Sequence, residues 1–222
     1  HSFPTRRSSD LVFDVDHTIT RHSTGRRLIQ CGRRAGLFSL ASLASVPYHY
    51  LRYRAGTINI DDAVSALGRL EGRRRVELEA IAAQCFEQRI RDDIFRDARE
   101  CAEAHVRAGD VVVLATSSLR LIVKPIADEL GVATILSTEL EFADGVATGE
   151  LATPPCFGEE KRDRVIAFAT AMRIDLAHTT FYSDSHLDLP LLSVVGSPVA
   201  VNPDGKLRKE ALARYWEIVR FR

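Results

Sequence analysis

Two pairs of carboxylates follow β-prone runs of this sequence, far apart along the chain. Asp14 and Asp16 lie two residues apart at the end of a short apolar run near the start. Asp184 and Asp188 follow a second β-prone run, at residues 179–182. Strand ends that each present acids can build an all-oxygen site for a hard cation, and Mg²⁺ is the natural candidate. Taken singly, each pair also fits a solvated turn or a helix cap.

Hydroxyl groups and one lysine add donors that suit a phosphate group. The β-prone run 111–115 ends in Thr116, Ser117 and Ser118, whose hydroxyl and amide groups suit phosphate oxygens but also fit N-capping of a following helix. Lys161 begins another helical stretch and is one of only four lysines, although a solvated surface lysine is the simpler interpretation. Together with the two acidic pairs, these groups are much harder to explain as coincidence than any one alone.

Alternating strands and helices must position these residues. The β-prone runs 11–15, 111–115, 179–182 and 198–201 are separated by stretches with helical periodicity. This alternation predicts an α/β fold with a parallel sheet, whose carboxyl edge is where ligand sites form. We expect a β-hairpin from residues 132–140 and 146–151. Helices are predicted at residues 24–34, 61–70, 75–90, 94–107, 119–130, 159–172 and 206–220.

A long helical region interrupts this alternation after the first strand. Residues 19–107 contain very little strand signal, so we expect an all-helical insert there and a core domain formed by residues 12–18 and 108–222. Residues 1–11 match, in order, the translation of a common short-read sequencing adapter. We interpret them as an artefact and exclude them from the fold prediction.

The composition excludes collagen-like, coiled-coil and disordered proteins. The 222 residues are 45% hydrophobic and 27% charged, which is typical of a globular protein with a real core. The formal net charge is zero, so there is no basic excess and we expect no nucleic-acid partner. Four widely spaced cysteines favour a reducing, cytoplasmic location. The preference for arginine over lysine, with abundant alanine, indicates a GC-rich bacterial genome.

In their order along the chain, the acidic and phosphate-binding segments resemble the motifs of the haloacid dehalogenase (HAD) superfamily of phosphohydrolases. FDVDHT resembles its first motif, VVVLATSS its second, the region of Lys161 its third and YSDSHLD its fourth. SDSHLDLPLL with PVAVNPDGKLRKEA further resembles subfamily IB, the relatives of phosphoserine phosphatase. The resemblance extends from about Val12 onward, and it implies a Rossmann-like core with an inserted helical cap and a β-hairpin flap.

The resemblance also implies how the acids act. Asp14 would be the nucleophile that forms an aspartyl-phosphate. Asp16 would protonate the leaving alcohol and then deprotonate the water that hydrolyses the intermediate. Mg²⁺ would bind Asp14, the main-chain carbonyl of Asp16, and Asp184.

The remaining motif residues would hold the phosphate. Thr116, Ser117 and Lys161 would contact its oxygens, and Asp188 would orient Lys161 or a metal-bound water. We therefore expect a Mg²⁺-dependent phosphomonoesterase that acts on a small phosphorylated metabolite. Two alternatives stay open, a phosphotransferase on the same scaffold and a phosphate-binding regulatory protein without useful turnover.

The insert should determine the substrate. Phosphoserine phosphatases place a Glu soon after the first motif, whereas Ser23 stands there in this chain and residues 17–60 contain no acid. The segment 21–54 is rich in arginine and includes the uncharged run 35–51. The simpler interpretation of that run is a buried pair of cap helices or a dimer face. The alternative is contact with a membrane surface or with a lysophospholipid phosphate.

Overall fold

A six-stranded parallel sheet forms the centre of the computed structural model, which describes residues 10–34, 36–37 and 70–222. Its strands are β1 (Leu11–Phe13), β2 (Val112–Leu119), β3 (Thr134–Thr138), β6 (Thr180–Ser183), β7 (Ser197–Val201) and β8 (Glu217–Val219). The order across the sheet is β3-β2-β1-β6-β7-β8, and all neighbours are parallel. This doubly wound order confirms the predicted α/β, Rossmann-like fold class.

Helices connect the strands and cover the sheet. They are α1 (Thr24–Arg34), α2 (Arg75–Cys85), α3 (Arg96–Ala108), α4 (Arg120–Leu130), α5 (Gly158–Met172), α6 (Leu189–Leu192) and α7 (Gly205–Ala213). A π-helical turn, Phe86–Ile90, continues α2, so the predicted helix 75–90 is one helical segment with a change of pitch. Gly131 ends α4 in the left-handed conformation at φ 69°, as its position in the sequence predicts.

Both faces of the sheet are buried, which explains why its strands read as continuous apolar runs. In β1, Leu11 and Phe13 belong to one buried cluster, whereas Val12 belongs to the cluster on the opposite face. The first cluster includes side chains of α3 and α4, and the second includes side chains of α5, α6 and α7. The domain is therefore a sheet between two helical layers, with β1 in its interior.

The predicted hairpin begins too early in the chain. Residues 134–138 form β3, which pairs in parallel with β2 and belongs to the main sheet. The hairpin consists instead of β4 (Leu140–Ala143) and β5 (Val146–Leu151), which are antiparallel. The physical reason is that β2 offers residues 134–138 a ladder of hydrogen bonds, while Ile135 is buried in the sheet's core.

The predicted final helix is also too long. Helix α7 ends at Ala213, and the chain then turns at Tyr215, which has a φ of 57°. Residues 217–219 form β8 because the edge of β7 supplies backbone partners, and Ile218 packs against the core on one face of the sheet. By contrast, α1 begins and ends where the sequence predicts, at Thr24 and Arg34.

Helix α3 packs on the sheet, although the predicted insert 19–107 contains almost all of it. Its residues Ala98, Cys101 and Ala102 lie in the same buried cluster as Phe13. The predicted helix 61–70 lies outside the described residues except for Leu70, and the uncharged run 35–51 lies outside them except for residues 36 and 37. None of the described helices is both long and apolar enough to cross a membrane.

The β4–β5 hairpin is attached to the chain just before α2. The Gly72 amide donates to the Ala147 carbonyl at 2.9 Å, and the Ala147 amide donates to the Arg73 carbonyl at 2.8 Å. The Arg75 amide donates to the Gly145 carbonyl, also at 2.8 Å. An isolated antiparallel bridge between Arg74 and Val146 accompanies these bonds, so the segment 72–75 is fixed to the hairpin.

Candidate active site

The acidic residues lie where the order of strands in the sheet reverses. Strand β1 separates β2 and β3 from β6, β7 and β8, so the chain crosses to both sides from this position. In doubly wound sheets, ligands bind at this switch point, beyond the carboxyl ends of the strands. Asp14 and Asp16 follow β1, Asp184 follows β6, and Thr116 lies near the end of β2. The fold thus brings the predicted motifs to one edge.

Lys161 joins two of the predicted site carboxylates. It lies in the first turn of α5 and is only 1% exposed. Its Nζ lies 2.9 Å from Asp14 Oδ1 and 2.8 Å from Asp188 Oδ1. A buried ammonium between two buried carboxylates is stable only because each charge faces its opposite. The alternative of a solvated surface lysine is therefore wrong.

Burial has a strong effect on Asp14. It raises the pKa of this carboxyl to about 7, and the nearby Asp188 carboxylate acts in the same direction. The ammonium of Lys161 opposes both effects. Burial thus favours the neutral form of Asp14, and any further positive charge beside it would favour the carboxylate.

Asp188 is held in place by the loop that carries it. The Ser183 hydroxyl donates to Asp188 Oδ2 at 2.7 Å, and the Ser185 amide donates back to the Ser183 hydroxyl oxygen at 3.1 Å. Asp188 is 3% exposed. The carboxylate is thus oriented towards Lys161, as expected for a residue that positions the lysine.

Asp16 contacts different partners from Asp14. The amide of Thr24, the first residue of α1, donates to Asp16 Oδ1 at 2.9 Å. The Ser118 hydroxyl donates to Asp16 Oδ2 at 3.1 Å. Asp16 therefore lies at the positive end of α1, where an anionic oxygen is favoured. The two aspartates of the first motif therefore have different surroundings. Asp14 contacts a lysine, whereas Asp16 contacts neutral donors.

The run of hydroxyl residues Thr116 to Ser118 lies in the last part of β2, and bonds to its backbone hold it in place. The Ser118 amide donates to Thr116 Oγ1 at 3.1 Å, so the hydroxyl proton of Thr116 is left to donate elsewhere. The carbonyl of Ser117 accepts a bond of 2.7 Å from the Thr138 hydroxyl. Thr138 Oγ1 in turn accepts the amide of Cys156 at 3.1 Å. This chain of bonds connects the second motif to the loop that precedes Lys161.

Several other carboxylates lie close enough to Asp184 to repel its negative charge. Burial raises its pKa well above the usual value, and Asp14 and Asp188 add to the effect. Its carbonyl accepts the Asp204 amide at 2.8 Å. Asp204 Oδ2 also contacts His186 Nδ1 at 2.9 Å, which supports the loop between Asp184 and Asp188.

Such repulsion between acids is what a bound cation would relieve, and the donor set fits Mg²⁺. Within the ranges that the structure describes, no three acidic, histidine or cysteine side chains form a ready-made metal cage. Mg²⁺ commonly keeps several waters and binds one or two carboxylates together with substrate phosphate. Asp14 and Asp184, with the main-chain carbonyl of Asp16, supply oxygens of that kind.

A doubly wound sheet that brings carboxylates and a buried lysine together at its switch point is typical of an α/β enzyme with a charged ligand site. The family model of the haloacid dehalogenase-like hydrolases matches residues 11–193, so the chain belongs to that family. This membership confirms the resemblance seen in the four motifs.

Known relatives support the same conclusion. Phosphoserine phosphatase SerB1 of Mycobacterium tuberculosis is 34% identical over 224 residues, which cover 99% of this chain and 73% of the relative. Histidinol-phosphatase of Neisseria meningitidis is 30% identical over 217 residues, with 95% and 98% covered. A solved structure of a Bordetella pertussis protein of unknown function has a TM-score of 0.82 at 31% identity, with 95% and 97% covered. The predicted enzyme class, a phosphoric monoester hydrolase, is confirmed, and these relatives are bacterial.

Two residues that contact Asp16 are missing from the predicted site. Ser118 belongs to the hydroxyl run of the second motif, but the sequence offers no sign that its side chain contacts Asp16. Thr24 lies 94 residues away from Ser118, yet their hydroxyl oxygens are 2.7 Å apart. A hydroxyl residue at the start of a predicted helix was the available signal, and N-capping was a sufficient explanation for it.

Proposed function

We propose that this protein is a Mg²⁺-dependent phosphomonoesterase that hydrolyses a small phosphorylated metabolite in the cytoplasm through an aspartyl-phosphate. The contact of 2.9 Å between Lys161 Nζ and Asp14 Oδ1 carries the proposal. A carboxylate nucleophile must be ionised, whereas burial favours its neutral form. The buried lysine opposes that effect at the one acid that follows β1 directly.

In the first half-reaction, a carboxylate oxygen of Asp14 attacks phosphorus and forms the aspartyl-phosphate. The bond between phosphorus and the alcohol oxygen breaks, and its electron pair stays on that oxygen. The proton of a neutral Asp16 moves to the departing oxygen, so the product is an alcohol. Asp16 is then the carboxylate that accepts the bonds from Thr24 and Ser118.

In the second half-reaction, water hydrolyses the aspartyl-phosphate. The Asp16 carboxylate accepts a proton from water as the water oxygen attacks phosphorus. The bond from phosphorus to Asp14 breaks, and the electron pair returns to the Asp14 carboxylate. Inorganic phosphate leaves, and Asp16 is neutral again for the next substrate.

The surrounding groups hold the phosphate through both steps. The proton of the Thr116 hydroxyl, the Ser117 residue and the ammonium of Lys161 are assigned to its oxygens. Bound to Asp14, Asp184 and the Asp16 carbonyl, Mg²⁺ would reduce the repulsion between an anionic nucleophile and an anionic substrate.

The insert and the hairpin are assigned to substrate selection. We place a helical cap within residues 19–107 and assign the β4–β5 hairpin as the flap beside it, since residues 72–75 are bonded to the hairpin. The two named relatives act, by their names, on phosphoserine and histidinol phosphate. Ser23 stands where an acid would bind the amine of phosphoserine, so we propose a phosphate ester of another small alcohol.

Phosphate release from a panel of phosphomonoesters tests this function. The panel should include phosphoserine, histidinol phosphate, sugar phosphates and lysophospholipid phosphates, each with Mg²⁺ and with EDTA. We expect turnover that requires Mg²⁺ and disappears in Asp14→Asn. The matched control is Asp163→Asn, because the Asp163 side chain is 59% exposed on α5.

Other results would change the assignment. Metal-independent turnover, or full activity of Asp14→Asn, would exclude the proposed mechanism. Transfer of the phosphoryl group to an added alcohol in preference to water would identify a phosphotransferase. A folded protein that binds phosphate but releases none from any ester would be a regulatory binding protein.

A further inference from the structure

One serine contacts both the acid–base residue and the phosphate-binding hydroxyl. We propose that Ser118 is a positioning residue that, together with Thr24, holds Asp16 for proton transfer to and from the substrate. This inference rests on the proposed phosphatase function, because Asp16 needs a fixed position only if it transfers protons. The motif resemblance assigns no role to either hydroxyl.

The direction of the hydrogen bonds follows from counting protons. A serine hydroxyl has one proton, and that of Ser118 is donated to Asp16 Oδ2 at 3.1 Å. In the contact of 2.7 Å between the two hydroxyls, Thr24 must therefore be the donor. The result is a chain of donors from Thr24 through Ser118 to Asp16, while the Thr24 amide donates separately to Asp16 Oδ1.

Burial makes this arrangement costly to change. Thr24 is fully buried and Ser118 is 9% exposed, so water does not readily replace either hydroxyl partner. A buried polar group that loses its partner is disfavoured, so these hydrogen bonds from Thr24 through Ser118 to Asp16 stay formed. Both carboxylate oxygens of Asp16 are thereby fixed, one by the backbone of α1 and the other by Ser118.

The backbone of Ser118 serves the phosphate side of the same site. Its amide donates to Thr116 Oγ1 at 3.1 Å, which orients the Thr116 hydroxyl. A single residue at the end of β2 thus sets the distance between the group that holds phosphate and the group that transfers the proton. A misplacement of about 1 Å in such a constellation can slow a reaction by about 100-fold.

The chemistry of the leaving group distinguishes a positioning role from a purely structural one. p-Nitrophenolate leaves readily as an anion, so its departure needs little help from Asp16. An alkyl alcohol such as glycerol must be protonated as it leaves, and hydrolysis of the aspartyl-phosphate needs Asp16 whatever the ester. Loss of Asp16 alignment should therefore affect the two esters differently.

The experiment compares Ser118→Ala with the unaltered protein on p-nitrophenyl phosphate and glycerol 2-phosphate, at saturating Mg²⁺. We expect kcat/KM for glycerol 2-phosphate to fall about 10- to 100-fold, since general acid–base catalysis as a whole contributes about 10²–10⁴-fold. For p-nitrophenyl phosphate, kcat/KM should stay within about twofold. Its kcat should fall, with a stoichiometric burst of nitrophenol before the steady state, because hydrolysis of the intermediate becomes slow.

Two variants of Thr24 test the hydroxyl chain without altering Ser118. Thr24→Val removes the hydroxyl at nearly constant shape and should reproduce the ester-dependent pattern to a smaller extent, because Ser118 still donates to Asp16. Thr24→Ser retains the hydroxyl and should restore both kinetic constants. Ser193→Ala is the matched control, because Ser193 is exposed and its hydroxyl accepts a hydrogen bond from Arg214.

Each result decides the inference. Equal losses of kcat/KM on both esters in Ser118→Ala would show a structural role and overturn it, as would unchanged kinetics on both. Those results leave the phosphatase function standing, because the unaltered protein turns over. If the unaltered protein hydrolyses neither of these two esters nor any member of the earlier panel, the proposed function and this inference are both overturned.

Discussion

Lys161 Nζ lies 2.9 Å from Asp14 Oδ1, although the two residues are 147 positions apart in the chain. The contact exists because β1 ends, and α5 begins, at the switch point of the sheet. Lys161 is buried, so its ammonium meets the Asp14 carboxylate away from solvent. Both the stability and the proposed chemistry of the site depend on this pair.

Replacing that lysine should affect folding and turnover together. Lys161→Met leaves the carboxylates of Asp14 and Asp188 buried without their shared cation. We expect a loss of about 3–5 kcal/mol in the free energy of unfolding, the usual effect of breaking a buried ion pair. Phosphate release should fall by at least about 100-fold, since a donor to the phosphoryl oxygens is lost. Urea unfolding and phosphate release measure the two effects.

Lys124 supplies the control for that substitution. It forms a pair with Asp128 on the surface of α4, where the Lys124 side chain is 55% exposed. Lys124→Met should change stability by less than about 0.5 kcal/mol, because exposed pairs contribute little. Equal effects of the two lysine substitutions would contradict the importance assigned to the buried pair.

Asp184 should reduce stability at neutral pH when Mg²⁺ is absent. Its pKa is raised in the folded protein, so as the pH rises above the unfolded value the unfolded chain loses this proton first and the folded state becomes less stable. Asp184→Asn should therefore raise the melting temperature at pH 8 in EDTA, by about 2–4 °C for each kcal/mol gained. The gain should shrink as the pH falls towards about 4.

Added Mg²⁺ gives a second measurement on the same variant. It should raise the melting temperature of the unaltered protein, because a ligand that binds the folded state stabilises it, and should have little effect on Asp184→Asn. Asp163→Asn, an exposed substitution, should behave like the unaltered protein at both pH values. A stabilisation of Asp184→Asn that is equal at pH 4 and pH 8 would refute the electrostatic explanation.

Thr138 should prove important without touching the substrate. Thr138→Val removes the donor to the Ser117 carbonyl and the acceptor of the Cys156 amide, and Thr138 is only 4% exposed. We expect destabilisation of about 1–3 kcal/mol, the cost of unpaired buried polar groups. The inhibition constant for inorganic phosphate should rise as well, because Ser117 loses its anchor. Thr134→Val, in the same strand, should leave that constant unchanged.

Gly196 should tolerate no side chain. A Cβ atom there would lie 1.8 Å from the carbonyl oxygen of Ala177, a backbone atom that has no freedom to rotate away. Gly196→Ala should lower the unfolding free energy by about 1–3 kcal/mol or prevent folding, as overpacking does elsewhere. At Gly205, a Cβ would meet nothing within 4 Å, so Gly205→Ala is the control and should fold normally. Thermal denaturation of the two alanine variants is the measurement.

Local patterns predict much of the fold because local forces determine those parts. Helix α1 begins at Thr24 and ends at Arg34 as its periodicity indicates, and the left-handed Gly131 ends α4. The α/β class follows from alternation alone. The partner of β3 and the conformation of β8 were predicted wrongly because both depend on distant strands. Residues 134–138 pair with β2 and residues 217–219 with β7, and neither partner is visible in a short window of sequence.

The candidate site also contains residues that local sequence predicts and contacts that depend on distant partners. Asp14, Asp16, Asp184 and Asp188 are predictable because acids at the ends of β-prone runs must share one edge of a parallel sheet. The contact between Thr24 and Ser118 is not, since it depends on how α1 packs against the end of β2. A pattern of residue types records what each element can do, whereas this contact depends on where two elements meet.

The bonds between the hairpin and residues 72–75 have a consequence for local opening of the structure. Three amides, those of Gly72, Arg75 and Ala147, are protected only while these segments stay together. They should therefore exchange hydrogen for deuterium at a common rate, set by one opening event. An unequal rate for Ala147 would mean that the hairpin separates from this segment in stages. A shared rate would make the two segments a single unit of unfolding, distinct from the sheet beneath them.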